Sequence, residues 1–200
     1  MAQGFTLWLT GLPASGKTEI AARVEESLLE RGLDAERIDE GEIREQFFPG
    51  LGFERAEWEG LTRFLGHVCN LLTRNGAIAI ASTVSPYQEI RNELRSQIGR
   101  FVEVYVRCSK QTCAARDTTG NYKKAGKGEV KGFTGVDAPF DEPVQPEIVL
   151  DAENEDVETS EKTILRTLEI LDFIPKGAGS DYDEEEEEKI TKRLKDLGYI

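Results

Sequence analysis

Residues 11–18 read GLPASGKT and fit the spacing G-x-x-x-x-G-K-[ST]. In such a loop Gly11 and Gly16 let the backbone wrap with its N–H groups pointing inward, and Ala14 and Ser15 complete the cradle for phosphates. Lys17 reaches the β and γ phosphates, and the Thr18 hydroxyl ligates Mg2+. The chemistry requires a strand before the loop and a helix after it. Both are legible. The apolar run 5–9 reads as a buried strand, and Ile20, Val24 and Leu28 recur at spacing four in a helix that opens at Thr18 and stops at Gly32. ATP with Mg2+ is the expected ligand.

Outward from this loop, short apolar runs alternate with segments of helical period, the pattern of βαβ units around a parallel sheet. A weak second strand falls at 35–39. Leu61, Phe64, Leu65, Val68 and Leu72 share one face of a helix over 56–73, and GAIAIA at 76–81 is a third strand. Pro86 suits the first turn of a helix through Ile90 and Leu94 to Ile98, a fourth strand spans 101–106, and a short helix follows at 110–116. Residues 117–143 are rich in Gly and Lys without either period, as expected of a lid. A fifth strand at 147–150 and a closing helix marked by Ile164, Leu168 and Leu171 complete the domain. The reading is an α/β, doubly wound, mainly parallel five-stranded sheet of the P-loop NTPase/kinase type over 1–174, with a C-terminal helical tail. The tail comprises a linker at 175–183 and an acidic amphipathic helix at 184–200, on which Ile190, Leu194 and Leu197 form one face. Either that face docks a partner or the tail is a solvated acidic segment.

Composition narrows the partners. Twenty-five Lys+Arg against 38 Asp+Glu leave a net charge of −13 over 200 residues, which argues against nucleic acid and anionic membrane and for a small-molecule substrate. Three cysteines without C-x-x-C signal neither a disulfide framework nor a zinc ribbon. With no basic leader before the first strand and no apolar run near the ~20 residues of a membrane span, a soluble cytoplasmic protein is expected. A homodimer stays open.

Further residues point to the chemistry. Asp39 ends the second strand at the carboxyl edge of the sheet, where open α/β folds bind ligands, with Glu40 and Glu42 directly after it. Carboxylates there position Mg2+ or take a proton from an attacking hydroxyl. The lid carries Lys123, Lys124, Lys127 and Lys131 against Glu129, a basic island in an acidic chain, suited to closing over an anion. Phe53 and Phe133 are aromatics in loops that either stack on a base or join the core. His67 reads as a helix-surface residue, and Cys69 and Cys113 as core.

Taken together, these segments resemble the adenylylsulfate (APS) kinase family. ARDTTGNYKKAGKGEVKGFTGVDAPFDEPVQPEIVL at 115–150 is similar to that family's lid and following strand, and LGF at 51–53 and S-x-x-S-P-Y at 82–87 agree as well. The resemblance spans about 4–174 and implies transfer of the γ-phosphoryl group of MgATP to the 3′-hydroxyl of APS. It implies that Phe53 and Phe133 sandwich the APS adenine, that Arg44 contacts its anionic part, and that Ser85, Lys123 and Lys124 share that site. Arg116 and Asp117 would lie at the lid hinge near ATP, with Lys17, Asp39, Glu42 and Lys123 acting in catalysis and Thr18 and Asp39 holding the metal. Three departures stand out. The family's Asp-Gly-Asp is Asp39-Glu40-Gly41, so Glu40 or Glu42 is left to replace the second Asp; its D-R-x-x-N becomes Glu57, Trp58 and Leu61; and the arginine after S-P-[FY] is Gln88. Two alternatives follow from the eroded acceptor half, a kinase of another hydroxyl acceptor and a nucleotide-binding pseudokinase or regulatory subunit.

Overall fold

The computed structural model describes residues 4–177 and 184–199. Five strands, β1 (Phe5–Thr10), β2 (Ala35–Asp39), β3 (Ile78–Ser82), β4 (Phe101–Arg107) and β5 (Ile148–Asp151), make one parallel sheet in the order β2-β3-β1-β4-β5. The helices are α1 (Lys17–Glu30), α2 (Glu40–Phe47), α3 (Arg55–Arg74), α4 (Gln88–Ile98), α5 (Lys110–Arg116), α6 (Asn121–Gly126), α7 (Val157–Ile170) and α8 (Glu184–Asp196).

Helices cover both faces of the sheet, so every residue of β1 is buried. On one face Phe5, Leu7 and Leu9 join the cluster that holds Ile20, Val24 and Leu28 of α1 and Ile164 and Leu168 of α7. On the other, Trp8 packs with Leu61, Leu65 and Cys69 of α3 and Leu94 of α4. Each such side chain contributes roughly 1.5–3 kcal/mol of burial. Cys69 and Cys113 are fully buried and His67 is exposed on α3, as expected, and all three cysteines are free thiols. With β1 central and its neighbours reached by crossovers to opposite sides, the crevice at the carboxyl ends of β1 and β3 is the place where this topology binds ligands. No helix among the described residues is long and apolar enough to cross a membrane.

Two helices depart from the sequence reading. Residues 40–47 form α2 because the Asp39 side chain accepts from the amides of Gly41 (2.8 Å) and Glu42 (3.2 Å) and so caps it. Within the stretch read as irregular, α6 forms between Gly120 and Lys127, burying Tyr122 and Ala125.

The tail docks on its own domain. Leu194 is fully buried, Arg193 donates to the carbonyls of Pro146 (2.6 Å) and Glu147 (3.0 Å), and Tyr199 hydroxyl donates to the Glu147 carboxylate, which also receives Arg95 (2.5 Å). The remainder of the linker, 178–183, lies outside the described residues, as do 1–3. Deleting residues 178–200 is expected to remove roughly 2–3 kcal/mol of burial and hydrogen bonding, lowering the melting temperature by about 4–12 °C. Affinity for MgATP should not change, because none of the described residues of α8 lines the cavity beside the 11–18 loop. Differential scanning fluorimetry checks this; a melting temperature within 1 °C of the full chain (about a third of a kcal/mol) would mean that α8 contributes nothing.

Candidate active site

The loop after β1 takes its shape from backbone constraints. Gly16 stands at φ +97 immediately before α1, a conformation that side chains oppose, and the helix then opens at Lys17 with its N–H groups free for an anion. Lys17 is folded onto the loop, its ammonium donating to the carbonyls of Gly11 (3.0 Å) and Leu12 (2.7 Å) and to Ser15 Oγ (3.3 Å). Burial lowers its pKa to about 8, and the Glu40 carboxylate is the strongest of the charges opposing that shift.

Thr18 and Asp39 are brought together from α1 and β2. Thr18 Oγ1 donates to Asp39 Oδ2 at 2.7 Å, and Ser82 Oγ donates to the same oxygen at 2.5 Å. Burial alone would raise the Asp39 pKa, but these hydroxyls and the two α2 amides outweigh it and hold the carboxyl below the usual range. A hydroxyl beside an ionised carboxylate is a hard oxygen pair of the kind Mg2+ prefers. No cluster of three or more His, Cys, Asp or Glu suited to a metal occurs among the described residues.

From the loop a cavity of about 950 Å³ extends to both sides of β1. On the β4–β5 side it is lined by Arg116 and Asp117 at the end of α5 and by Glu155, Asp156 and Ser160 ahead of and within α7. Asp117 fixes the turn into α6, accepting from Thr119 N (2.9 Å), Thr119 Oγ1 (2.6 Å) and Tyr122 N (2.9 Å). The Tyr122 hydroxyl ties the lid to the phosphate loop through Pro13 O at 3.0 Å.

On the β2–β3 side the wall is Glu40, Arg44, Phe53, Trp58 and Phe133. Glu40 is buried and accepts from Thr83 Oγ1 (2.7 Å), Val84 N (2.8 Å) and Arg44 Nε (3.2 Å). The Arg44 guanidinium lies 4.5 Å from the Trp58 ring and 4.9 Å from that of Phe53. Glu57 sets the loop carrying Phe53 by accepting from the amides of Gly52 (2.8 Å) and Glu54 (2.9 Å). Gly132 on the lid has no room for a side chain, since a Cβ would sit 2.5 Å from Phe53 O. Phe53 and Phe133 therefore meet edge to face, 5.3 Å between centroids, and leave no slot between their rings.

Four residues expected in the site lie elsewhere. Glu42 is half exposed and pairs with Arg37 at 2.9 Å, directed away from the cavity wall that Glu40 occupies. Ser85 is buried behind that wall; its hydroxyl accepts from Trp8 Nε1 (3.0 Å) and donates to Thr10 Oγ1 (2.9 Å). Lys123 and Lys124 are exposed outside it because Tyr122 and Ala125 take the inward face of α6. Of the departures, Leu61 is core, and Gln88 braces Arg91 (2.9 Å) and Val144 N (3.2 Å) rather than lining the cavity. The sequence reading missed Thr83 and the segment after β5, although the position of both at carboxyl ends of strands marks them.

Residues 3–151 match the family profile described as adenylylsulphate kinase. The chain is 44% identical over 174 residues to the adenylyl-sulfate kinase of Rippkaea orientalis, covering 87% of this chain and 96% of that one. It is 39% identical over 173 residues to the probable adenylyl-sulfate kinase of Pyrococcus abyssi, covering 86% and 99%. Among solved structures, the Mycobacterium tuberculosis APS kinase in complex with AMPPNP and APS superposes with a TM-score of 0.79 at 34% identity, over 84% of this chain and 99% of that one. With the profile matched over most of the chain and these relatives matched along nearly their whole length, the chain belongs to the adenylylsulphate kinase family.

Proposed function

We propose that this protein phosphorylates the 3′-hydroxyl of adenylylsulfate from MgATP, giving ADP and the 3′-phosphorylated product. The observation that carries this reading is the continuous cavity running from Lys17 and Thr18 to Arg44, Phe53 and Phe133, which gives donor and acceptor one shared space. On the donor side the loop amides and Lys17 bind the β and γ phosphates, with Arg116 and Asp117 beside the nucleotide. Thr18 and Asp39 hold Mg2+, which when bound neutralises charge on the transferring group. On the acceptor side Arg44 takes the anionic part of the substrate, and Phe53 and Phe133 part to admit its base. Glu40, in place of Glu42, orients the hydroxyl and accepts its proton as the oxygen attacks the γ phosphorus and ADP leaves. Lys123 and Lys124 reach the anion only if the lid moves, and Ser85 supports the wall from behind.

ADP release measured with APS and then with a panel of other hydroxyl acceptors tests the reading. ADP release that depends on APS is expected. Turnover with another acceptor alone selects a different kinase specificity, and MgATP binding without transfer to any acceptor selects a pseudokinase.

A further inference from the structure

Two buried donors on the acceptor side have no hydrogen-bond partner. Arg44 spends Nε on Glu40 (3.2 Å) and Nη1 on the carbonyls of Leu51 (3.2 Å) and Gly52 (3.0 Å), which leaves Nη2 buried and unpaired. Trp58, 1% exposed in the first turn of α3, packs with Val84, Tyr87 and Ile90, and its indole Nε1–H is likewise buried and unpaired. The side chains are in contact, with the guanidinium 4.5 Å from the indole ring, and both residues line the cavity.

A buried donor left unmade costs about 1–3 kcal/mol, so two on touching side chains need an explanation. Packing alone would be served by phenylalanine at position 58. Glu40 and the two loop carbonyls, together with the Trp58 and Phe53 rings, fix Arg44 so that Nη2 is the part not already engaged. A charged N–H and a neutral N–H, both unpaired and carried on touching side chains that line one cavity, suit an oxyanion, whose several oxygens can accept from both.

We propose that Trp58 is a specificity-determining residue of the acceptor site, its indole N–H donating together with Arg44 Nη2 to the oxyanion of the bound acceptor. The proposal rests on the kinase reading for the identity of the acceptor. Position 58 then contributes a single neutral donor and a flat surface that orients the Arg44 guanidinium. Recognition at this end is by geometry more than by net charge.

Trp58→Phe keeps an aromatic ring under Arg44 and removes the N–H together with the pyrrole part of the indole. With APS as acceptor its KM is expected to rise about tenfold, with kcat within twofold and the KM for MgATP unchanged. An unchanged KM for APS overturns the proposal. Calorimetric titration of APS into wild type and variant in the presence of MgADP separates the subsite from the chemistry. Weaker binding by the variant supports the subsite even if wild type transfers no phosphoryl group to APS. Equal binding, or no binding to wild type, overturns it. Should the variant fail to fold, the wild-type protein still decides. The chain has two tryptophans, and the indole N–H of Trp8 is already committed to Ser85. On addition of APS the Trp58 indole resonance should move downfield while that of Trp8 stays; an unmoved Trp58 resonance overturns the proposal.

Discussion

Lys17→Ala is expected to lower kcat/KM by at least about 10²–10³-fold while leaving a folded protein, because a loop lysine acts on charge that develops at the transferring phosphoryl group. The fold should tolerate the change for a reason visible in the site. The ammonium's burial, which lowers its pKa to about 8, opposes stability, and its three hydrogen bonds to Gly11, Leu12 and Ser15 offset that cost. Alanine removes both, and the melting temperature should shift by no more than about 5 °C. The pH dependence has a definite sign. With the folded value near 8 and the ordinary value 10.5, the native state binds fewer protons than the unfolded chain between those limits, so Lys17 makes stability rise with pH there. The variant lacks that rise. Melting curves of wild type and variant at pH 7 and pH 9.5 should therefore favour wild type progressively as pH increases. Turnover within tenfold of wild type would remove Lys17 from the site.

The fold was legible because a sheet buried on both faces leaves continuous apolar runs, FTLWL and AIAIA among them, and because α1 and α3 carry long one-sided stripes. Shorter elements left weaker traces. The eight residues of α2, EGEIREQF, bury only Glu40, and the six of α6 are fewer than two turns, too short for a period. The start of α2 was nonetheless written in Asp39 followed three residues later by Glu42, a helix-start pattern. The phosphate loop was readable because backbone conformation makes it and local sequence sets that conformation. The acceptor side depends on where side chains turn, which their partners in the fold settle. Ser85 is claimed by Trp8, 77 residues away, and Glu42 by Arg37, five residues back across the cap. Counting lysines in the lid gave its charge but not its face.

The same side-chain directions determine the outcome at the altered carboxylates. Glu40→Gln is expected to lower kcat about 10²–10⁴-fold with the KM for MgATP little changed, since it removes the carboxylate proposed to take the acceptor's proton while retaining an acceptor for Thr83 and Val84. Glu42→Gln should lie near wild type, because its carboxylate meets Arg37 in solvent. Gly41→Asp, the change toward the family's usual residue, should bring no gain. A Cβ at position 41 would stand 3.0 Å from Asp39 Oδ1, the oxygen that caps α2. The added residue would crowd a carboxylate that already holds Thr18 and Ser82, and a second negative charge beside it opposes the first. Kinetics of the three variants with MgATP and APS separate the cases. If Gly41→Asp instead accelerates transfer tenfold or more and Glu40→Gln is silent, Glu40 takes no proton from the acceptor, and the carboxylate that transfer lacks belongs at position 41.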